Sequence, residues 1–529
     1  MKIALIQPAF RKQEDSLEIP VALLTLAASL KKNGHRPIII DLNVLIKIKK
    51  LNYNDSFFRR AAELILSSKS KILGFSCICN TLPSAILIAK ECKRLAPEVK
   101  ILLGGPDVSF ESKELLYAFP EIDIIVRGEG EITLNELLFV LATDGELKKV
   151  RGLTYRASSS ILENPDRPLI DSLDSLPFPN LSLLPKLSKY RTGSIEGGRG
   201  CPYKCSFCST SQMWGRCFRL KSPKRLKREL FYMWKKFPKA SVVIHHDHLL
   251  TNRRAAKAFL AKLKNKHVSW VCSSRLDALD KEVICDLKEA GCCHVFIGVE
   301  TGSPRQQNRI NKNLDLRQLP QLLNTLAKVG LRTTFSFIIG FPGEKEADIN
   351  QTLLVILSCR LFNQNSAVQL HLLSILKGSL VYKKLKNKLP HATFHASSIS
   401  PLPTNLPEEI SLIKKYPQLF PSFYFVKQKH FSRDQLQKIV FLFCFLAEFF
   451  PRTTFLILVV FSISPYELAF KIIEYFKKRG LRQWTLPETP KESFEICFPF
   501  FKSFIHDKCS KIVNSYFAHE ASIELASIF

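Results

Sequence analysis

The sequence predicts an α/β protein in three parts. A doubly wound parallel sheet comes first, then a partial barrel of six strand–helix units, then a mainly helical C-terminal region. Three observations predict this. Short, continuously apolar runs alternate with helix-patterned segments over residues 1–149 and again over 190–400, and unbroken apolar strands are those buried on both faces of a parallel sheet. Three proline clusters, Asn164-Pro-Asp-Arg-Pro168, Leu176-Pro-Phe-Pro179 and Leu184-Pro185, punctuate residues 150–189, which read as an interdomain linker over the surface. Residues 401–529 are apolar and aromatic and read as a helical substrate or cap region.

In the first part, residues 2–7 form a short apolar strand. Residues 20–32 have helical apolar spacing and stop at Asn33-Gly34, a C-cap signal. A strand at 38–40 ends at Asp41, and another at 71–76 leads to a helix at 83–95 with proline in its first turn. Strand 99–103 runs into Gly104-Gly105-Pro106, and strand 122–126 into Arg127-Gly128-Glu129-Gly130-Glu131, with a helix after it. Sheets of this kind bind ligands beyond the carboxyl ends of their strands.

In the second part the strands fall at 194–197, 241–245, 268–272, 294–299, 333–338 and 367–371. Helices at 223–237, 252–263, 281–290, 316–329 and 346–359 separate them. A barrel keeps its chemistry at the carboxyl ends of its strands. Those ends carry His245-His246-Asp247-His248, Ser273-Ser274-Arg275, Gly298-Val299-Glu300 and Ser336-Phe337-Ile338-Ile339-Gly340. Arg275 is suited to pair with a carboxylate. A charge at Glu300, among glycines at a strand end, needs a partner.

Cysteines stand at Cys201, Cys205 and Cys208, directly after Gly197-Gly198-Arg199-Gly200. A glycine-rich turn lets the chain fold back, and the spacing lets three thiolates converge. Closed zinc or iron–sulfur sites take four protein ligands. Three leave a corner open to a small molecule. From the triplet alone, a zinc knuckle with Cys217 or His245 as fourth ligand remains an alternative.

The segment Gly198-Arg-Gly-Cys201-Pro-Tyr-Lys-Cys205-Ser-Phe-Cys208-Ser, with the strand-end motifs in order behind it, resembles the radical S-adenosylmethionine (SAM) superfamily, in members with an N-terminal cobalamin-binding domain. The resemblance implies a Rossmann-like cobalamin domain over 1–149 and a TIM-type (β/α)6 core over 190–400. It implies a 4Fe–4S cluster on Cys201, Cys205 and Cys208, with SAM on the remaining iron. Asp247 and Thr251 match an acidic loop that contacts SAM or substrate. Glu300 would contact SAM near its amino or ribose groups. Ser336, Ile338 and Gly340 would lie on the adenine side. Gly104, Gly105, Gly128 and Glu129 would form two cobalamin-side loops. Two departures stand out: Asn43 replaces the histidine of Asp-x-His-x-x-Gly, so no protein ligand to cobalt is named, and Lys377-Gly378-Ser379 replaces Pro-Gly-Thr. The same strand–helix pattern also fits a flavodoxin-like domain without a cofactor.

The implied reaction is reductive cleavage of SAM to a 5′-deoxyadenosyl radical, hydrogen abstraction from an unactivated carbon and, with cobalamin, methylation. Cyclisation, rearrangement or sulfur insertion without methyl transfer is the alternative. The implied partners are a small-molecule or lipid-like substrate and a reductant such as flavodoxin or ferredoxin.

Composition bounds these readings. Hydrophobic residues make up 46% of the 529, enough for packed cores. Fifteen cysteines and a first apolar run too short for a secretory signal suggest a reducing, cytoplasmic setting. The net charge of +30 is spread thinly, without the interleaved aromatics of a nucleic-acid surface. It leaves open peripheral contact with the inner membrane face. The apolar runs 439–447 and 455–461 are split by Glu448, Pro451 and Arg452, short of the roughly 20 residues a spanning helix needs. They read as a helical cap over the barrel mouth, or as a hairpin lying on a membrane.

Overall fold

The computed structural model describes residues 1–9, 17–158, 160–394, 406–478 and 500. The first sheet has seven strands in the order β2-β1-β3-β4-β5-β6-β7. β1 (Lys2–Gln7), β2 (Arg36–Asp41), β3 (Ile72–Ser76), β4 (Lys100–Gly104) and β5 (Ile124–Val126) run parallel. Successive side chains of β1 join different cores. Ile3 and Leu5 pack with helices Val21–Lys32 and Gly130–Ala142, and Ala4 and Ile6 with Phe57–Leu66 and Leu82–Leu95. This two-sided burial is why the strands read as continuous apolar runs.

Residues 150–189 are not linker throughout. β6 (Leu153–Ala157) and β7 (Ser160–Glu163) form an antiparallel hairpin that extends the first sheet beyond β5. Leu153 and Tyr155 point into its core, and the proline clusters begin only after β7 has ended. The helix Phe57–Leu66 was likewise unassigned by sequence. Its buried Phe57, Phe58, Ala61, Ala62 and Ile65 recur at helical spacing.

The second sheet is a six-stranded, all-parallel array ordered β15-β14-β13-β12-β11-β8. Its strands are β8 (Ser194–Glu196), β11 (Val242–His245), β12 (Trp270–Arg275), β13 (Cys292–Glu300), β14 (Arg332–Ile339) and β15 (Ser366–Leu372). Two-residue strands β9 (Gly198–Arg199) and β10 (Arg219–Leu220) pair between the first two units. The intervening helices begin at side-chain caps that satisfy exposed backbone donors: Ser222 accepts from Arg225 N, Asn252 from Ala255 N and Asp280 from Val283 N.

The C-terminal region is divided between the two sheets rather than forming one cap. Helix Arg433–Phe449 lies on β15, the outer strand, so the sheet edge is covered. Helices Pro451–Val460 and Pro465–Lys478 pack on Glu346–Phe362. Helix Pro407–Lys415 instead packs on Leu82–Leu95 of the first domain, and Ile413, Phe420 and Phe423 complete that core. Apolar runs without periodic strand signals carry no information about which domain they cover. Among the described residues no single helix is long and apolar enough to cross a membrane. Arg433–Phe449 and Pro451–Val460 reach that length only together, and they bend by 108° between them. The remainder of the predicted C-terminal region lies outside the described residues.

Candidate functional site

The carboxyl ends of both sheets open into one cavity of about 990 Å³. The first domain contributes Leu23, Leu26, Phe75 and the backbone of Gly104, Gly105 and Gly128. The barrel contributes Cys201, Cys205, Cys208, Asp247, Arg275, Glu300 and Lys312.

The cysteine loop is pinned from several sides. Gly200 turns at φ +90°, and a Cβ there would lie 2.0 Å from the Cys217 carbonyl oxygen, so only glycine fits. Asp247 accepts from Gly200 N at 3.3 Å and from Thr210 Oγ1 at 3.1 Å. Ser206 N donates to the Ile310 carbonyl at 2.8 Å, and Val381 N to the Ser206 carbonyl at 2.9 Å. Burial pushes the Cys201 thiol up to about 11 and raises Cys205, whose rise Lys312 and Arg275 oppose. Metal binding at these cysteines would release their protons.

The donor set fits a three-thiolate cluster site. All three cysteines face the cavity, and among the described residues no group of three or more His, Cys, Asp or Glu is placed to hold a single ion. A zinc knuckle would need a fourth donor. Cys217 is exposed and outside the cavity lining, and the His245 ring is bonded to Glu18. Three soft thiolates facing a roomy cavity suit iron–sulfur ligation with one position left for a small molecule.

Around this loop the barrel ends are largely paired among themselves. Arg275 does find a carboxylate, Asp277, at 2.8 Å. It also lies 3.7 Å from the Tyr203 ring centroid, with Nη1 3.8 Å from Cys205 Sγ. It is buried rather than an ordinary surface arginine. Glu300 sits at a register shift in β13 with φ +71° and pairs with Lys312 Nζ at 2.8 Å. Lys312 escaped the sequence reading because nothing local links it to a strand end. Burial raises the Asp247 carboxyl, and it drives His248 down to about 3, so that imidazole is neutral.

Ser336, Ile338 and Gly340 do not line the cavity. Ser336 is buried in β14, and a Cβ on Gly340 would meet Phe425 at 3.3 Å and Leu436 at 3.4 Å, both from the C-terminal region. The Gly340 amide donates to Glu344 at 2.5 Å. Burial pushes that carboxyl up to about 8. A carboxyl with a raised folded-state pKa holds its proton more tightly in the native state, so stability falls as pH rises from about 4.3 toward 8. Glu344→Gln is expected to flatten that part of the stability–pH profile in urea titrations at successive pH values.

On the first-domain side Gly105 turns at φ +115°, and a Cβ would stand 2.3 Å from the Cys77 carbonyl oxygen. Gly128, at φ +70°, faces open space. An apolar wall floored by bare backbone suits a large flat ligand such as a corrin. Gly105→Ala is expected to destabilise the protein by about 2 kcal/mol and to weaken hydroxocobalamin binding about tenfold, read by thermal unfolding and absorption titration. Glu129 lines the cavity with its loop, and its carboxylate is held by Arg199 at 2.6 Å, Arg219 at 3.0 Å and the Ile170 amide at 2.6 Å. Asn43 is buried against Asp41 and Pro8, away from the cavity lining.

The family model described as the radical SAM superfamily matches residues 195–356, and that of the B12 binding domain matches residues 15–138. An uncharacterised methyltransferase of Pyrococcus horikoshii is 31% identical over 364 residues, covering 67% of this chain and 77% of that protein. The anaerobic magnesium-protoporphyrin IX monomethyl ester cyclase of Rubrivivax gelatinosus is 26% identical over 351 residues, covering 63% of this chain and 61% of that one. The fold is shared with the radical SAM methyltransferase TsrM of Kitasatospora setae, solved with cobalamin and a 4Fe–4S cluster. That match has a TM-score of 0.61 at 16% identity and covers 75% of this chain and 76% of that one. A 4Fe–4S cluster, SAM and cobalamin are accordingly the cofactors of this chain. Its two matched domains, the cavity lined by Cys201, Cys205 and Cys208 and its Pyrococcus relative together place the chain in the radical SAM superfamily, in the branch that carries a B12-binding domain.

Proposed function

We propose that this radical SAM enzyme methylates an unactivated carbon of a small-molecule substrate. One observation carries the reading: a single cavity is lined both by Cys201, Cys205 and Cys208 and by the glycine loops of the B12-binding domain. The methyltransferase name of the Pyrococcus relative supports it.

When bound, the cluster supplies an electron to SAM and cobalamin carries the methyl group. The chain's own residues do the rest. The three cysteines hold the cluster. Asp247 fixes the turn before Cys201 through Gly200 N. Arg275 brings positive charge to Cys205 Sγ, the kind of contact that tunes a cluster's potential. The Glu300–Lys312 pair sets polar groups at the β13 end, where SAM would bind. The apolar first-domain wall would keep water out of the cavity. All cysteines among the described residues are free thiols. A reducing setting suits these thiols, and a donor such as flavodoxin or ferredoxin would supply the electron.

A second reading, ring closure without methyl transfer, is favoured by the similarity to the Rubrivivax cyclase. Anaerobically reconstituted protein, given hydroxocobalamin, reductant and SAM labelled in its methyl group, separates the two. The methylation reading predicts label on cobalamin and formation of S-adenosylhomocysteine. 5′-Deoxyadenosine without either would overturn it.

A further inference from the structure

The boundary between the two domains is charged at the point closest in sequence to the cysteine loop. Arg199 stands on β9, two residues before Cys201, and its side chain is only 7% exposed. Its guanidinium crosses the boundary. Nη1 donates to Glu129 Oε1 at 2.6 Å, Nη2 to Glu131 Oε1 at 2.6 Å, and Nε to Glu196 Oε1 at 2.7 Å. Glu129 is shared with Arg219, and the Trp214 ring lies beside both guanidinium groups. The Glu129 and Glu131 side chains are 2% and 6% exposed.

Desolvating this many charges costs several kcal/mol each, so such a cluster adds little net stability and is better suited to fixing one arrangement. The arrangement it fixes matters. Residues 128–131 line the first-domain side of the cavity, and β9 hands the chain through Gly200 to Cys201. We propose that Arg199 is a positioning residue that couples the two loops: the placement of residues 128–131 sets the placement of the cysteine loop. Filling the first-domain wall therefore tightens the cysteine loop, and the coupling runs equally in reverse. The cofactor half of this statement rests on the cobalamin reading, and the cofactor-free half does not.

Hydrogen exchange on the reconstituted full chain tests it, with and without hydroxocobalamin, in peptides covering 128–131 and 198–208. Hydroxocobalamin is expected to slow exchange in both segments of the wild type. Glu131→Gln lies in the other domain from the cysteines. It is expected to speed exchange at 198–208 about tenfold without cofactor, and to abolish the slowing there by hydroxocobalamin. Arg199→Lys keeps the charge but loses the fork, and should act alike. The double variant should be no worse than either single one, as for two halves of one interaction. If Arg199→Lys does not fold, Glu131→Gln alone decides. Unchanged exchange at 198–208 in Glu131→Gln overturns the coupling. If the wild type fails to bind hydroxocobalamin, the cobalamin reading falls, and the cofactor-free comparison still decides the role of Arg199.

Discussion

Replacing Cys205 by alanine abolishes SAM cleavage. Cys201, Cys205 and Cys208 face the cavity together from one loop, and two of them alone cannot retain a cluster. Cys201→Ala and Cys208→Ala should behave identically, since each thiol would ligate a separate iron. The expected outcome is loss of bound iron and sulfide, with no 5′-deoxyadenosine above background. Cys217→Ala serves as the control and should keep both, because Cys217 is exposed and outside the cavity lining. Retained 5′-deoxyadenosine in all three cavity variants would remove the assignment.

The second large effect is on stability. Lys377, which stands where the family pattern has proline, is fully buried and pairs with buried Asp107 at 2.9 Å. Asp107 directly follows Gly104-Gly105-Pro106, and Phe110 fills the space over Gly378, so this turn holds the first domain's cavity loop against the barrel. Lys377→Met leaves a buried carboxylate without its counter-charge, a loss of roughly 3–5 kcal/mol. Burial already raises the Asp107 carboxyl, and Lys377 opposes the rise. Without the lysine the carboxyl moves further up. A folded-state value above the unfolded one means the native state binds the extra proton. The variant's deficit should therefore be smallest in acid and grow as pH rises through the folded-state value. Adding Asp107→Asn should recover most of the loss at neutral pH. A Lys377→Met protein with wild-type unfolding midpoints at neutral pH would show that the pair contributes nothing.

Much of the architecture was legible because its signals are local. Apolar stretches of the barrel strands alternate with helix-patterned segments at regular spacing. The cysteine spacing carried the site for the same reason. What escaped depends on partners far away in sequence. Glu129 looked like a cofactor-side residue in a glycine loop, and only its approach to Arg199, from the other domain, shows it is already paired. Glu300 visibly needed a partner, but Lys312 has no periodicity to betray it. Gly340 was read as a cofactor contact. Phe425 and Leu436 cover it, and their destination could not be read from an apolar C-terminal region. The hairpin of β6 and β7 was hidden by the proline clusters that follow it.

The most direct measurement is the electron paramagnetic resonance spectrum of the anaerobically reduced protein, recorded before and after SAM is added. Because one iron would lack a protein ligand, a 4Fe–4S signal that SAM visibly alters is the predicted result. A cluster signal indifferent to SAM, or protein that purifies with zinc and without iron and sulfide, would contradict it.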